Sequence, residues 1–283
     1  MKINKYLRWR SYYNFAKRKY FDIKFAKTVL KIEQTTFEGV EILVRANEDV
    51  GKEILLQRFE IEELRYLNEI LPNDSMILDI GANIGLFSLV LASKSKNIKV
   101  HAFEPIQLNA DLITVSKQIN HLQNLTVNQT CVGATDGFVE FSVSTDSAYS
   151  SMIDSGRKQE AEKIICPVCR LDTYVQEANI EKIDFIKIDV EGAEKLVLTG
   201  AHALLTHQVL RPHLLMLELY DLNLKQYATS VNDIVQFMYS YKYEAYYLRD
   251  KELFKFDPVL HANKIYNVFF KSTATANSMK LIW

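Results

Sequence analysis

Between residues 76 and 105 the chain runs through a short apolar strand, a glycine-punctuated turn, an apolar helix and a second strand closed by proline. The segments are MILDI (76–80), GANIGLFSLVLASKS (81–95) and IKVHAFEP (98–105). This pattern restricts the fold severely, because a strand–helix–strand crossover returns the chain parallel to itself and lays the helix on a face of the sheet. The alternation continues with a helix over 107–120, strands over 125–130 and 183–188, a helix over 193–205 and a strand over 214–219. After a helix over 231–241, YEAYYLR (243–249) and KIYNVFFK (264–271) read as two strands able to form an antiparallel edge. The expected fold class is therefore α/β, Rossmann-like, with a mostly parallel sheet covered by helices on both faces.

A chain of 283 residues, 48% hydrophobic, can bury one sizeable core and an appendage. The expected division is a basic, aromatic N-terminal extension over 1–55 and a main domain over 56–283, with an inserted hairpin or flap around 133–175. VEILVR (40–45) reads as a short strand, and residues 60–71 have helical spacing that stops at Pro72. With a net charge of −1 the whole chain has no bias toward nucleic acid, and none is expected as a partner. The charge is uneven, however: up to Lys31 the only acid is Asp22, set against ten Lys and Arg. That arm has three readings: packing on the domain or on a second subunit of a homodimer, peripheral contact with an anionic membrane surface, or grip on an acidic substrate. No apolar run approaches ~20 residues and no secretory signal opens the chain, so a cytoplasmic protein is expected. Cys131, Cys166 and Cys169 cannot build a disulfide framework, and Cys166 and Cys169 form a C-x-x-C inside a strand without further zinc ligands.

The sequence from Asp79 through Gly81 and Asn83 to Gly85 lies where open α/β sheets bind ligands, at the carboxyl end of a strand. Asn83 stands where a pyrophosphate-binding turn has its second glycine, which points to a ligand without phosphates and counts against a nicotinamide dehydrogenase. Nineteen residues beyond Gly85, Glu104 ends the second strand, where a carboxylate can accept hydrogen bonds from ribose hydroxyls. A nucleoside without a diphosphate, its ribose on Glu104, fits S-adenosyl-L-methionine.

Further along, Asp189 ends the fourth core strand, Glu191 and Glu194 follow, and Glu218 ends the next strand. Asp189, Glu191 and Glu218 are the candidate catalytic acids. Deprotonating an alcohol at neutral pH needs a general base or a metal. Asp189 could serve as the base, or with Glu218 hold Mg²⁺, and the metal-free base is the preferred reading. Lys187 is expected to be structural or to pair with a carboxylate, and Glu194 to sit on its helix N-terminus. The flap, with Tyr149, Ser150 and Ser151, is the candidate substrate lid.

Taken together, ILDIGANIGLFSLVLA, HAFEP with Asn109 behind it, IDFIKIDVEGAEKLVLTGA (183–201) and LLMLEL (214–219) resemble the FkbM family of S-adenosylmethionine-dependent methyltransferases. FEIEE (59–63) is similar to the aromatic-Glu-x-Glu element preceding the domain there, and KIDVEGAE (187–194) is the most specific signal. The resemblance implies a seven-stranded class I sheet with one antiparallel strand near its edge, and O-methylation of a hydroxyl on a sugar, glycan or secondary metabolite. It also implies that Gly81, Asn83, Gly85 and Glu104 line the cofactor and that Cys131 and Val132 lie beside the adenine. Asp136 comes late for an adenine contact. The alternatives are an N-methyltransferase, which needs no strong base, and a non-catalytic adenosine-nucleoside-binding partner subunit.

Overall fold

The computed structural model describes residues 31–144, 160–261 and 264–274. Most of the basic arm and the tip of the flap, with Tyr149, Ser150 and Ser151, lie outside them. The described chain opens with strands β1 (Ile32–Phe37) and β2 (Val40–Arg45) and helices α1 (Asp49–Leu55) and α2 (Ile61–Ile70). The alternating core follows as β3 (Met76–Ile80), α3 (Leu86–Lys94), β4 (Lys99–Phe103), α4 (Gln107–Ile119) and β5 (Leu125–Asn128). Next come β6 (Cys131–Val132), β7 (Gly137–Ser144), β8 (Glu160–Cys169), α5 (Leu171–Glu177) and β9 (Phe185–Ile188). Helices α6 (Glu194–Gly200) and α7 (His202–Thr206) lead to β10 (Leu214–Leu219), α8 (Asp221–Leu224) and α9 (Val231–Ser240). The chain closes with β11 (Tyr243–Arg249), β12 (Glu252–Lys255), α10 (Pro258–His261) and β13 (Tyr266–Ser272).

The main sheet has the order β12-β11-β13-β10-β9-β3-β4-β5. Strands β10, β9, β3, β4 and β5 pair in parallel, and β13 is antiparallel to both β10 and β11. The seven strands of a class I methyltransferase sheet are thus present with their single reversed strand. An eighth, β12, adds an antiparallel edge beyond β11. The central strands are covered on both sides: all of β3 and β9 is buried, as expected for an apolar run in a parallel sheet.

Helix α3 is buried around most of its circumference, from Leu86 to Ala92, which a helix covered on one face only would not be. Its outer cover is the β1–β2 hairpin. Leu43 N–H donates to Ser116 Oγ at 3.0 Å, Glu41 N–H to Asn120 Oδ1 at 3.0 Å, and Asn120 Nδ2 returns a bond to the Glu41 carbonyl at 2.6 Å. Phe37, Ile42, Val44 and Ile54 share one apolar cluster with Ile77, Leu89 and Ile113. Residues 32–55 therefore pack into the same core as the residues that follow.

The insertion is a separate three-stranded sheet, β6-β8-β7, parallel at β6–β8 and antiparallel at β7–β8. No helix among the described residues is long and apolar enough to cross a membrane.

Candidate functional site

Chain progression reverses at β3: β4 and β5 extend the sheet one way, β9 and β10 the other. Ligands of open α/β sheets bind at such a switch point, outside the carboxyl ends of the strands. Here the two loops touch. Asp189 N–H donates to the Ile80 carbonyl at 3.0 Å, and a Cβ on Gly81 would lie 1.8 Å from the Asp189 carbonyl oxygen. Gly81 also has φ +77°, so both the space and the backbone conformation require glycine. Asn83 has φ +52°, a left-handed conformation asparagine tolerates, and its N–H donates to Glu104 Oε2 at 2.9 Å.

A cavity of about 240 Å³ opens over this switch point. Of the residues expected from the sequence it brings together Asp79, Gly81, Asn83, Glu104, Cys131, Val132, Asp189, Glu191 and Glu218. Gly85 does not reach it. At φ +82° and with its missing Cβ facing the Ile113 side chain, Gly85 packs the start of α3 against α4.

At one end lies Glu104, 4% exposed. Its Oε1 accepts the Ile106 N–H at 2.9 Å and the Asn109 amide at 3.4 Å, which leaves lone-pair capacity on a carboxylate for a ligand's hydroxyls. Burial pushes this carboxyl up to about 8, against the pull of its hydrogen bonds to Ile106, Asn83 and Asn109. Under the Gly81 turn, Asp79 Oδ2 accepts the Ser88 hydroxyl at 2.6 Å, while Oδ1 is buried without a hydrogen-bond partner. Asp136 is engaged elsewhere, accepting from Arg170 N–H at 2.8 Å and the Thr173 hydroxyl at 2.9 Å.

At the other end the carboxylates gather. One oxygen from each of Asp189, Glu191 and Glu218 lies within 4.8 Å of the others. Lys187 donates to Asp189 Oδ2 at 2.8 Å, and its ammonium is held above the ordinary lysine value: burial opposes this, but Asp189, Asp79 and Glu60 together outweigh it. Burial raises Glu218 well above an ordinary carboxyl, helped by Asp189, Glu191 and Glu60. Glu191, at φ +53°, accepts the Asn223 amide at 2.6 Å, and a Cβ on the adjacent Gly192 would meet the Asn223 carbonyl oxygen at 2.5 Å. Glu194 turns back onto its own loop, Oε1 accepting from Val190 and Gly192 N–H at 3.3 and 3.1 Å, as expected for a helix-start acid.

Sequence reasoning missed Glu60, which lines the cavity with Phe59, Asp49, Glu53 and Ile265. Its only sequence signal was membership of FEIEE, upstream of the glycine loop. The C-x-x-C pair also resolves differently from its spacing. Three residues apart on β8, Cys166 and Cys169 point to opposite faces, and Cys166 Sγ instead approaches Cys131 Sγ at 2.9 Å. His202 bonds the Tyr241 hydroxyl and His207 accepts the Val209 and Leu210 N–H groups, so neither faces the site.

Strand order and the position of the cavity define a Rossmann-like class I methyltransferase fold. The model of the methyltransferase FkbM domain matches residues 79–245, and the chain belongs to the FkbM methyltransferase family. It is 31% identical over 168 residues to the AMB antimetabolite synthetase AmbE of Pseudomonas aeruginosa, covering 46% of this chain and 8% of that protein. It is 26% identical to Methyltransferase 1 of Beauveria bassiana, covering 46% and 59%. To the 31-O-demethyl-FK506 methyltransferase FkbM of Streptomyces tacrolimicus it is 27% identical, covering 48% and 63%. The matches thus span less than two thirds of each of these relatives. Among solved structures, the chain is similar to SMU.1697c of Streptococcus mutans in complex with SAH, with 12% identity, a TM-score of 0.45, and 76% and 98% of the two chains covered.

Proposed function

We propose that this protein transfers the methyl group of S-adenosylmethionine to an oxygen of a hydroxylated small molecule or glycan. The observation that carries the reading is the two-ended cavity, with a buried carboxylate for a ribose at the end of β4 and an acid cluster at the ends of β9 and β10. The residues present fit the cofactor: Gly81 lets the backbone approach, Glu104 offers acceptors, and Asp79 holds an unsatisfied buried oxygen under the turn. When bound, S-adenosylmethionine supplies an electrophilic methyl on a sulfonium.

The protein's own part is to align the acceptor oxygen, exclude water and take a proton. Asp189 is placed for the proton transfer, its carboxylate oriented by Lys187. Glu218, whose carboxyl is raised well above its ordinary value by burial and by Asp189, Glu191 and Glu60, is suited in its protonated form to donate a hydrogen bond to the acceptor oxygen. This division of labour runs without a metal, since the Lys187 ammonium already supplies the positive charge beside Asp189. Chelation with EDTA is expected to leave transfer unchanged.

The test is calorimetric titration of the purified protein with S-adenosylmethionine and S-adenosylhomocysteine, beside Glu104→Ala. It is followed by transfer of labelled methyl to a panel of alcohols and matched amines. Micromolar binding lost in Glu104→Ala, with label entering alcohols and a drop of about 100-fold in Asp189→Asn, supports the reading. Label entering amines with full activity in Asp189→Asn would replace it with N-methylation. Absence of binding to both nucleosides would withdraw it.

A further inference from the structure

We infer that Glu60 reads the charge on the cofactor's sulfur, favouring the sulfonium donor over the neutral thioether product. The inference rests on the cofactor reading above and concerns a residue outside the glycine loop and the strand-end acids.

Glu60 stands between α1 and α2 at φ +43°, in a left-handed conformation that turns the chain into the start of α2. It lines the same cavity as Gly81, Asp189 and Glu218. Its Oε1 accepts the Asn267 amide at 2.6 Å, and Asn267 lies on β13 directly opposite Glu218. Glu60 is thereby tied to the acid end of the sheet although it is distant in sequence. Its Oε2 is buried and has no hydrogen-bond partner. A buried carboxylate oxygen without a donor is costly unless a ligand completes it.

Of the neighbouring acids, Asp189 is committed to Lys187, Glu191 to Asn223 and Glu194 to backbone N–H groups, while Glu218 is assigned above to the acceptor oxygen. Asp79 also has an unpartnered oxygen, but it lies beneath the Gly81 turn, against Ser88. The charged groups around Glu60 are Lys187 from β9, Asp189 beyond it, Glu218 from β10 and Glu63 from α2, with Asp49 and Glu53 of α1 lining the same cavity. Burial pushes Glu60 up to about 7, with Lys187 pulling down and Asp189 pushing up, so an arriving cation favours the ionised form of this carboxylate.

Donor and product carry the same amino-acid end and the same ribose; they differ at sulfur, by the transferred methyl group and the positive charge that goes with it. A carboxylate facing the sulfur separates the two, whereas one facing the amino group cannot. Glu60 so placed helps a spent cofactor leave after transfer.

The experiment titrates wild type, Glu60→Gln, Glu60→Asp and Asp79→Asn with S-adenosylmethionine and S-adenosylhomocysteine by calorimetry near pH 8, with melting curves as a check on folding. Glu60→Gln is expected to weaken the sulfonium ligand about tenfold and the thioether by less than about twofold. Glu60→Asp keeps the wild-type ratio, and Asp79→Asn weakens both ligands alike. Equal loss of both ligands in Glu60→Gln, or loss of neither, overturns the inference while leaving the cofactor reading intact. Failure of the wild type to bind either ligand overturns the cofactor reading itself. Should Glu60→Gln not fold, the wild type still decides: its preference for the sulfonium must grow between about pH 6 and pH 8, and a flat ratio rejects the role.

Discussion

Gly81 and Gly39 are both glycines with φ near +80°, yet they do different work. At Gly39, in the β1–β2 turn, a Cβ would meet nothing within 4 Å, so only the left-handed conformation resists substitution. At Gly81 the Cβ would collide with the Asp189 backbone, so substitution pushes apart the two loops that carry the site. Gly39→Ala is expected to cost about 1 kcal/mol and to leave nucleoside binding alone. Gly81→Ala is expected to cost about 3 kcal/mol and to abolish S-adenosylhomocysteine binding. Denaturant unfolding with calorimetry checks both; Gly81→Ala that binds normally would mean the loops need not touch.

At the scale of elements, the β1–β2 hairpin does what a surface helix usually does in such folds, covering α3 and α4. Asn120 ties it down, accepting from Glu41 N–H and donating both to the Glu41 carbonyl and to Ser116 O at the end of α4. Asn120→Ala leaves these half-buried groups unpaired and is expected to destabilise by about 1–3 kcal/mol. Unfolding in urea with an unchanged slope would show it, and an unaltered midpoint would mean the apolar face alone holds the hairpin. This contact explains what could be read in the sequence and what could not. The crossovers from β3 to β10 were legible because parallel strands and their helices depend on local periodicity and on turns at strand ends. The glycine loop, Glu104 and Asp189 were legible for the same reason, since strand ends position them. The docking of residues 32–55 into the main core was not, because a half-buried two-stranded hairpin has the same alternation wherever it packs. Glu60 escaped likewise: it meets Asn267 across 207 residues, a distance over which no periodicity carries information. The resemblance also pointed to Gly85, but neither resemblance nor spacing tells that its missing Cβ faces Ile113.

At the scale of the whole molecule, the sheet concentrates buried carboxyls along one edge, and this imposes a pH dependence on stability. Burial raises Glu104 to about 8, and Glu60 and Glu194 to about 7, each from an ordinary value near 4.5. A carboxyl whose folded value lies above its unfolded value binds more protons in the folded state. Its favourable contribution is therefore complete below the unfolded value and is lost as pH rises through the folded one. Each unit of upward shift corresponds to about 1.4 kcal/mol at the limit. The ligand-free protein should accordingly melt at lower temperature as pH is raised from about 5 to 8. Glu104→Gln, uncharged at every pH, should melt with a shallower slope. Other titrating groups are common to both proteins, so the difference between the two slopes isolates Glu104. A bound ribose reverses the sign at that residue, because its hydroxyls donate to the ionised carboxylate and favour it. The stabilisation conferred by a saturating nucleoside should therefore grow with pH over the window in which the free protein weakens. Melting curves of both proteins at several pH values, with and without S-adenosylhomocysteine, measure both effects. Parallel slopes for wild type and Glu104→Gln would show that Glu104 is already ionised and solvated in the free protein. The cavity would then be wetter and more open than its burial implies, and the ribose would have less to gain from it.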